Sequence, residues 1–515
     1  MRKWFLTLAV FISGMTTLAI ELSASRLLGT VYGTSNIVWA NIIGLILVYL
    51  SAGYFIGGRW ADRWPFHSAF YRLISWAGFT SGLVPIIAQP VLLRAAQAVE
   101  RLQTGLMVGS FLSVLLLFSI PVTLLGCVSP YAIRLAIEDR EHAGRISGRI
   151  YAFSTLGSIL GTFLPVLILI PMIGTRMTFL LFSLILMGVA LIGLLFESRR
   201  QFLYHLWMPF AILGLAALTG SSPIKESTGQ VYETESAYNY IQVVETDGVR
   251  MLMLNEGQGI HSVYAPGMTA TYGTWDYFLA APYFYPPEAG IEVERVGIVG
   301  LAAGTIAKQY TQVYGPVPID GWEIDPGIIE VGRQWFDMTE PNLNAIAQDG
   351  RWGIAHSPYR YTVIGVDAYR LPYIPFHLTT VEFFQIVRDH LTSEGTVVIN
   401  VGRTPRDRRL IDGMVGTLQE VFESVHVVDV PQTFNTIVFA TVQPTKPENL
   451  VVNELELSEE EAHPLLIDVL RRSAENLKPT PKSEMVFTDD RAPIEQLTNA
   501  IALRFVLSDQ MSLLR

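Results

Sequence analysis

The sequence predicts two architectures in series: an α-helical multi-span membrane domain, then a small β-hairpin unit leading into a Rossmann-like α/β domain of the methyltransferase type. Three observations predict it. Only 16% of the 515 residues are charged and half are hydrophobic, against roughly 25% charged residues in an ordinary soluble chain. The charge is also divided. Residues 1–220 hold 15 basic and 7 acidic residues, a net of +8, whereas 221–515 hold 21 and 39, a net of −18. Finally, a strand, glycine turn and helix pattern near 295–309 is followed about twenty residues later by an acid at a second strand end, a spacing typical of open parallel sheets with a ligand at their strand ends. The single cysteine, Cys127, excludes a disulfide scaffold or a cysteine-rich metal site. No metal ligand set and no nucleic-acid partner is read from the chain.

In the first part, apolar runs near 4–25, 36–58, 73–93, 105–133, 147–172, 177–196 and 203–220 reach the roughly 17–25 residues that cross a hydrocarbon core as helices. The last is the weakest, being short and holding His205 and Pro209. Basic residues concentrate on alternate loops. Arg2, Lys3, Arg59, Arg63, Arg72, Arg134, Arg140, Arg145, Arg149, Arg199 and Arg200 fall on one side; Arg94, Arg101 and Arg176 fall on the other. That bias places the N-terminus in the cytoplasm of a cell (inner) membrane protein. Seven crossings then put the second part outside, six or eight inside. Gly53, Gly57 and Gly58 before Arg59, Asp62 and Arg63 read as close helix packing beside a positive loop, and GYFIGGRWADR looks like a major-facilitator loop motif. Glu21 with Arg26 reads either as a packed pair or as part of a polar path.

In the second part, Val231–Glu245 and Met251–Leu254 flank Asp247-Gly248, a short-range hairpin signal. The first parallel strand then ends in Gly300-Leu-Ala-Ala-Gly304, the second in Glu323. Glu323 at that position accepts ribose hydroxyls. Asp349 follows the third strand position, and Asp367 closes the strand Tyr361–Val366. The three acids are expected to converge outside the carboxyl ends of the sheet. A helix over Thr380–Leu391 and a strand over Thr396–Val401, parted by Ser393-Glu-Gly395, continue the alternation.

The motifs VGIVGLAAGT, GWEIDP, QDGRW and VDAYRLPYIPFHLTTVEFFQIVRDHL together resemble the spermidine synthase (polyamine aminopropyltransferase) family over about 231–441. The membrane stretch IYAFSTLGSILGTFLPVLILIPMIG resembles the membrane-fused branch. The resemblance implies decarboxylated S-adenosylmethionine as co-substrate and a polyamine or other amine as acceptor. It implies that Asn239 touches the thioadenosine part, Glu323 the ribose and Asp349 with Gly350 the adenine. Gly300 and Gly304 shape the cofactor turn. Asp367 is the implied proton acceptor, with Gln258, Asp276 and Arg370 toward the acceptor. A homodimer is compatible with the family and untested by the sequence.

Three positions depart from the family: Ala303 and Arg370 stand where it carries aspartates, and Thr274-Trp275-Asp276 stands for Tyr-His-Glu. A buried polycation needs several carboxylates, and the glycine turn and ribose acid serve either sulfonium cofactor, so two other functions stay open. One is an S-adenosylmethionine-dependent methyltransferase-like enzyme. The other is a polyamine transporter or sensor with a non-catalytic synthase-like domain. The domains expected are 1–220 (membrane), 221–290 (hairpin unit), 291–445 (Rossmann-like) and 446–515, a C-terminal extension packing on the synthase domain. Within the extension, Asp490 is expected to cap a helix and Glu454–Glu461 to be a solvated face.

Overall fold

Long apolar sequences with few breakers make long helices, and the described residues of the N-terminal region are mostly helical. The computed structural model describes all residues except 1, 33–35, 103–105, 138–141, 220–226, 256–258, 370–372, 458–461 and 508–515. Helices α1 (Arg2–Tyr32), α2 (Asn36–Arg63), α3 (His67–Leu102), α4 (Leu106–Ala136), α5 (Ala143–Leu164), α6 (Ile170–Glu197), α7 (Arg199–His205) and α8 (Trp207–Thr219), with a π-helical turn at Pro165–Leu169 between α5 and α6, account for nearly all described residues of the expected spans. Among the described residues, five helical stretches are long and apolar enough to cross a membrane: Trp4–Tyr32, Val38–Arg63, Val108–Ala136, Ala143–Glu197 and Arg199–Thr219. The expected span near 73–93 lies in α3, which carries Pro85 and Pro90 and is not among the five. The two expected spans 147–172 and 177–196 lie within one stretch of 55 residues, interrupted at Gly174 with φ 79°.

Small residues let these helices touch. A Cβ on Gly53 would sit 2.3 Å from the Thr123 carbonyl oxygen, and one on Gly57 would sit 2.5 Å from Cys127 Cα, so α2 lies directly on α4. Gly157 and Gly161 do the same for α5 against α1, at the carbonyls of Phe11 and Met15. Gly58 faces open space, so only two of the three glycines expected to pack do so.

Contacts divide the chain into two compact units, Met1–Ile241 with Asn255–Gly257 and Gln242–Leu254 with Gln258–Arg515. Strands β1 (Gln230–Glu235), β2 (Tyr240–Thr246), β3 (Val249–Leu254) and β4 (Ile260–Tyr264) form a four-stranded sheet in chain order. Asp247 and Gly248 join β2 to β3 with φ of 51° and 79°, the conformation that Asp-Gly hairpins favour. The single run Val231–Glu245 is in fact two strands, because Ser236–Asn239 turns between them.

The α/β sheet follows the alternation in the sequence: β5 (Val296–Val299), α9 (Thr305–Tyr314), β6 (Ile319–Glu323), α10 (Pro326–Trp335), β7 (Leu343–Ala347), α11 (Gly350–Ala355), β8 (Tyr361–Val366), α12 (Val381–Asp389), β9 (Leu391–Gly402), α13 (Arg409–Gln419), β10 (Ser424–Asp429) and β11 (Asn435–Thr441). After these come α14 (Asn449–Glu456), α15 (Pro464–Glu475), β12 (Leu477–Lys478) and α16 (Ile494–Leu507). The order is β12-β10-β11-β9-β8-β5-β6-β7. Strands β9, β8, β5, β6 and β7 are parallel; β11, β10 and β12 pair antiparallel. Continuous apolar strands such as Tyr361–Val366 are buried along their whole length, as parallel strands covered on both faces must be.

Two local expectations are corrected. Ser393-Glu-Gly395 does not separate helix from strand; β9 starts at Leu391, and those residues form a bulge between the pairings Tyr361 with Leu391 and Val363 with Thr396. Asp490 does not cap a helix, since it lies in the turn closed by Thr488 and Arg491 and α16 begins only at Ile494. The acidic run Glu454–Glu461 falls partly in α14 and partly outside the described residues.

Candidate active site

Parallel pairing brings the candidate residues to one edge. Strand β5 lies between β8 and β6, and β7 flanks β6, so the chain leaves four neighbouring strands at the same end. That end carries Asp367 after β8, the turn Gly300–Gly304 after β5, Glu323 closing β6 and Asp349 after β7. Gly300 makes the approach possible. It has φ 84°, and a Cβ there would sit 2.6 Å from the Asp367 carbonyl oxygen.

The turn spends its amides inside the protein. Gly300 and Leu301 donate to the Trp322 carbonyl at 2.9 and 3.0 Å, and Gly304 donates to Leu301 at 3.0 Å. Ala302 donates to Glu323 Oε2 at 3.0 Å, and Ala303 donates to Ser262 Oγ at 3.0 Å. A phosphate cradle needs such amides pointed outward at the anion. This turn presents a carboxylate in their place, which suits a nucleoside without phosphates.

Glu323 is only 8% exposed. It accepts from the Ala302 and Asp325 amides, and burial pushes its carboxyl up to about 7. Each oxygen keeps a lone pair for a hydroxyl donor. Asp349 caps α11 by accepting from Trp352 N at 2.9 Å, and His377 Nε2 lies 3.0 Å from its other oxygen. That histidine contact chiefly holds Asp349 below the usual carboxylate range. Gly350 brings α11 onto β5, for a Cβ there would meet Val299 Cγ1 at 2.5 Å.

Asp367 keeps part of its surface open while protein surrounds the rest. Trp275 Nε1 donates to Oδ2 at 2.9 Å and Asn400 Nδ2 to Oδ1 at 2.9 Å. Asn435 Nδ2 in turn holds Asn400 Oδ1 at 2.9 Å. Burial raises the Asp367 pKa, and the two donors oppose that rise. The result is a carboxylate of fixed orientation, more basic than an exposed aspartate and able to accept a proton.

Other candidates lie elsewhere. Asp276 does not line the edge with the three acids. It is 0% exposed and accepts from Thr271 N and Oγ1, Tyr272 N, Gln309 Nε2 and Arg472 Nη2, so its oxygens serve the fold. Asn239 sits in the turn before β2, where its Oδ1 accepts from Asn255 Nδ2 at 2.9 Å. Gln258 and Arg370 lie outside the described residues. Sequence reasoning missed His377, Asn400 and Asn435. The IPFHLTT motif signals the first by position only; the other two become visible once β9 and β11 are paired, with Asn400 opposite Ile437 and Gly402 opposite Asn435.

The chain is similar to several known proteins. A probable polyamine aminopropyl transferase of Bifidobacterium longum is 31% identical over 287 residues, 52% of this chain. The similarity lies over the C-terminal half of this chain. The chain spans about three fifths, 62%, of that relative's length. A polyamine aminopropyltransferase of Vibrio vulnificus is 26% identical over 261 residues, 48% of this chain and 83% of that one. The human eEF1A lysine and N-terminal methyltransferase is 28% identical over 173 residues, 31% of this chain and 24% of that protein. No family model matches the chain.

Proposed function

We propose that the chain is an integral-membrane aminopropyltransferase that moves the aminopropyl group of decarboxylated S-adenosylmethionine to an amine such as putrescine or a related polyamine. The observation that carries the reading is Asp367, held at both oxygens by Trp275 and Asn400 beside a glycine turn without free amides. In this reading Glu323 takes the ribose hydroxyls and Asp349 with Gly350 borders the adenine. The acceptor nitrogen attacks the methylene carbon next to the sulfonium sulfur. The carbon–sulfur bond breaks, its electron pair stays on sulfur, and neutral methylthioadenosine leaves. The proton lost by the attacking nitrogen passes to Asp367. Five apolar helical stretches support residence in a bilayer.

A methyltransferase-like activity is the second reading, favoured by the similarity to the human methyltransferase; the same turn and acids would hold S-adenosylmethionine. One experiment separates them. Purified protein is incubated with putrescine or spermidine and each sulfonium donor in turn. Methylthioadenosine that disappears in Asp367→Asn supports aminopropyl transfer; adenosylhomocysteine supports the second reading. Binding of either donor with neither product would sink both.

A further inference from the structure

The C-terminal segment beyond the α/β sheet reaches back to the corner that carries Asp349. Phe487 anchors it: the side chain is 1% exposed, its amide donates to Thr417 Oγ1 at 2.9 Å, and its carbonyl accepts from the Val381 amide at 2.9 Å. Two residues on, Asp489 takes both terminal nitrogens of Arg351 at 2.7 Å each and the Thr380 hydroxyl at 2.7 Å. Arg351 also donates to the His377 carbonyl at 3.1 Å, while the His377 ring contacts Asp349. One carboxylate therefore ties the start of α11 to the loop before α12, and those two pieces together set the position of Asp349 and Gly350.

We propose that Asp489 is a positioning residue for the donor's base pocket, acting through Arg351 on the Asp349–Gly350 corner. The proposal rests on the reading of that corner as the adenine wall. The fork geometry matters here: a planar guanidinium bound at both oxygens fixes angle as well as distance, which a single point charge does not. Such a fixed corner lowers the ordering cost of binding a rigid base. Asp489 is part-exposed, so its worth lies in geometry more than in net folding stability.

Calorimetric titration of the full-length protein in detergent with methylthioadenosine, and separately with S-adenosylhomocysteine, tests it. Asp489→Asn is expected to weaken nucleoside binding about five- to tenfold, the scale of one ordinary hydrogen bond, because the effect reaches the base pocket through Arg351. The donor KM rises in step, with kcat and the acceptor KM unchanged, and Asp489→Glu recovers most of the loss. Arg351→Lys, which keeps the charge and loses the fork, gives the same pattern and serves if Asp489→Asn fails to fold. Both variants binding as tightly as the wild type, with unchanged melting temperature, would overturn the clasp while leaving the donor site intact. A wild-type protein that binds neither nucleoside overturns the reading of the corner itself, and the clasp with it.

Discussion

A carboxylate held by two neutral N–H donors has a basicity set by its neighbours, and Asp367 is such a carboxylate. Trp275 and Asn400 stabilise its charged form while burial opposes it, so removing either donor moves its pKa further up. The acid limb of kcat/KM is therefore expected to shift to higher pH in Trp275→Phe and Asn400→Leu, with Asp367→Asn losing about 10²- to 10⁴-fold in kcat. A pH–rate series on the three variants checks this; an unmoved limb in both donor variants excludes Asp367 as the titrating base. Glu323 gives the second titration. Its carboxyl sits at about 7 in the fold against an ordinary 4.5, so the neutral form is favoured by folding. Its contribution to stability is complete below the unfolded value and is lost as pH rises through about 7. In the proposed donor site, however, ribose hydroxyls would donate to the carboxylate. Donor affinity should therefore rise between pH 6 and 8 as the melting temperature of the free protein falls, and Glu323→Gln should flatten both. Measured donor binding that is independent of pH in the wild type refutes the ribose assignment.

Elements show what the sequence makes legible and what it hides. Acids at successive strand ends were readable because each belongs to a local strand, turn and helix unit, and Glu323, Asp349 and Asp367 do share an edge. Asp276 misled, for its partner Arg472 lies in α15 and no local pattern announces it. Asn400 was hidden for the complementary reason, since its contact with Asp367 exists only through the parallel pairing of β8 with β9. Glycine packing was half legible. The sequence shows small residues in α2, but helical phase against α4 decides which of them touch. Gly57 and Gly58 separate the two cases. An added methyl at Gly57 meets Cys127 backbone at 2.5 Å, whereas Gly58 has nothing within 4 Å. Gly57→Ala is expected to destabilise the helical domain by about 1–3 kcal/mol through overpacking, and Gly58→Ala to be neutral or to stabilise by up to about 1 kcal/mol through helix propensity. Thermal unfolding in one detergent compares them; equal shifts would mean that the α2–α4 contact is absent.

At the scale of the whole molecule, side-chain contacts and loop charge make one joint prediction about membrane faces. Arg134 pairs with Asp62 at 3.0 Å, which joins the end of α4 to the end of α2. At the other end of the bundle, Arg176 donates to the Thr219 carbonyl at 2.5 Å and so ties the Gly174 bend to the end of α8. Thr175, beside that bend, donates through N and Oγ1 to Glu235 of β1 at 2.5 Å, and the charge of Arg26 also acts on Glu235. Helix α1 therefore starts at one end of the bundle and delivers Arg26 to the end where β1 begins. The start of α1 and strand β1 thus lie at opposite ends of the helical unit, the arrangement that the expected seven crossings would give. On the spans expected from the sequence, eleven Lys and Arg residues fall on the N-terminal side and three on the other, and the richer side is expected to be cytoplasmic. The C-terminal domain is therefore expected outside the cytoplasm, so donor and acceptor must be supplied there. Fusions after Arg515 decide it: an active alkaline phosphatase with a dark green fluorescent protein is the expected pair. The reverse pair would mean an even number of crossings, and would require the contact between Thr175 and Glu235 to be absent in the bilayer.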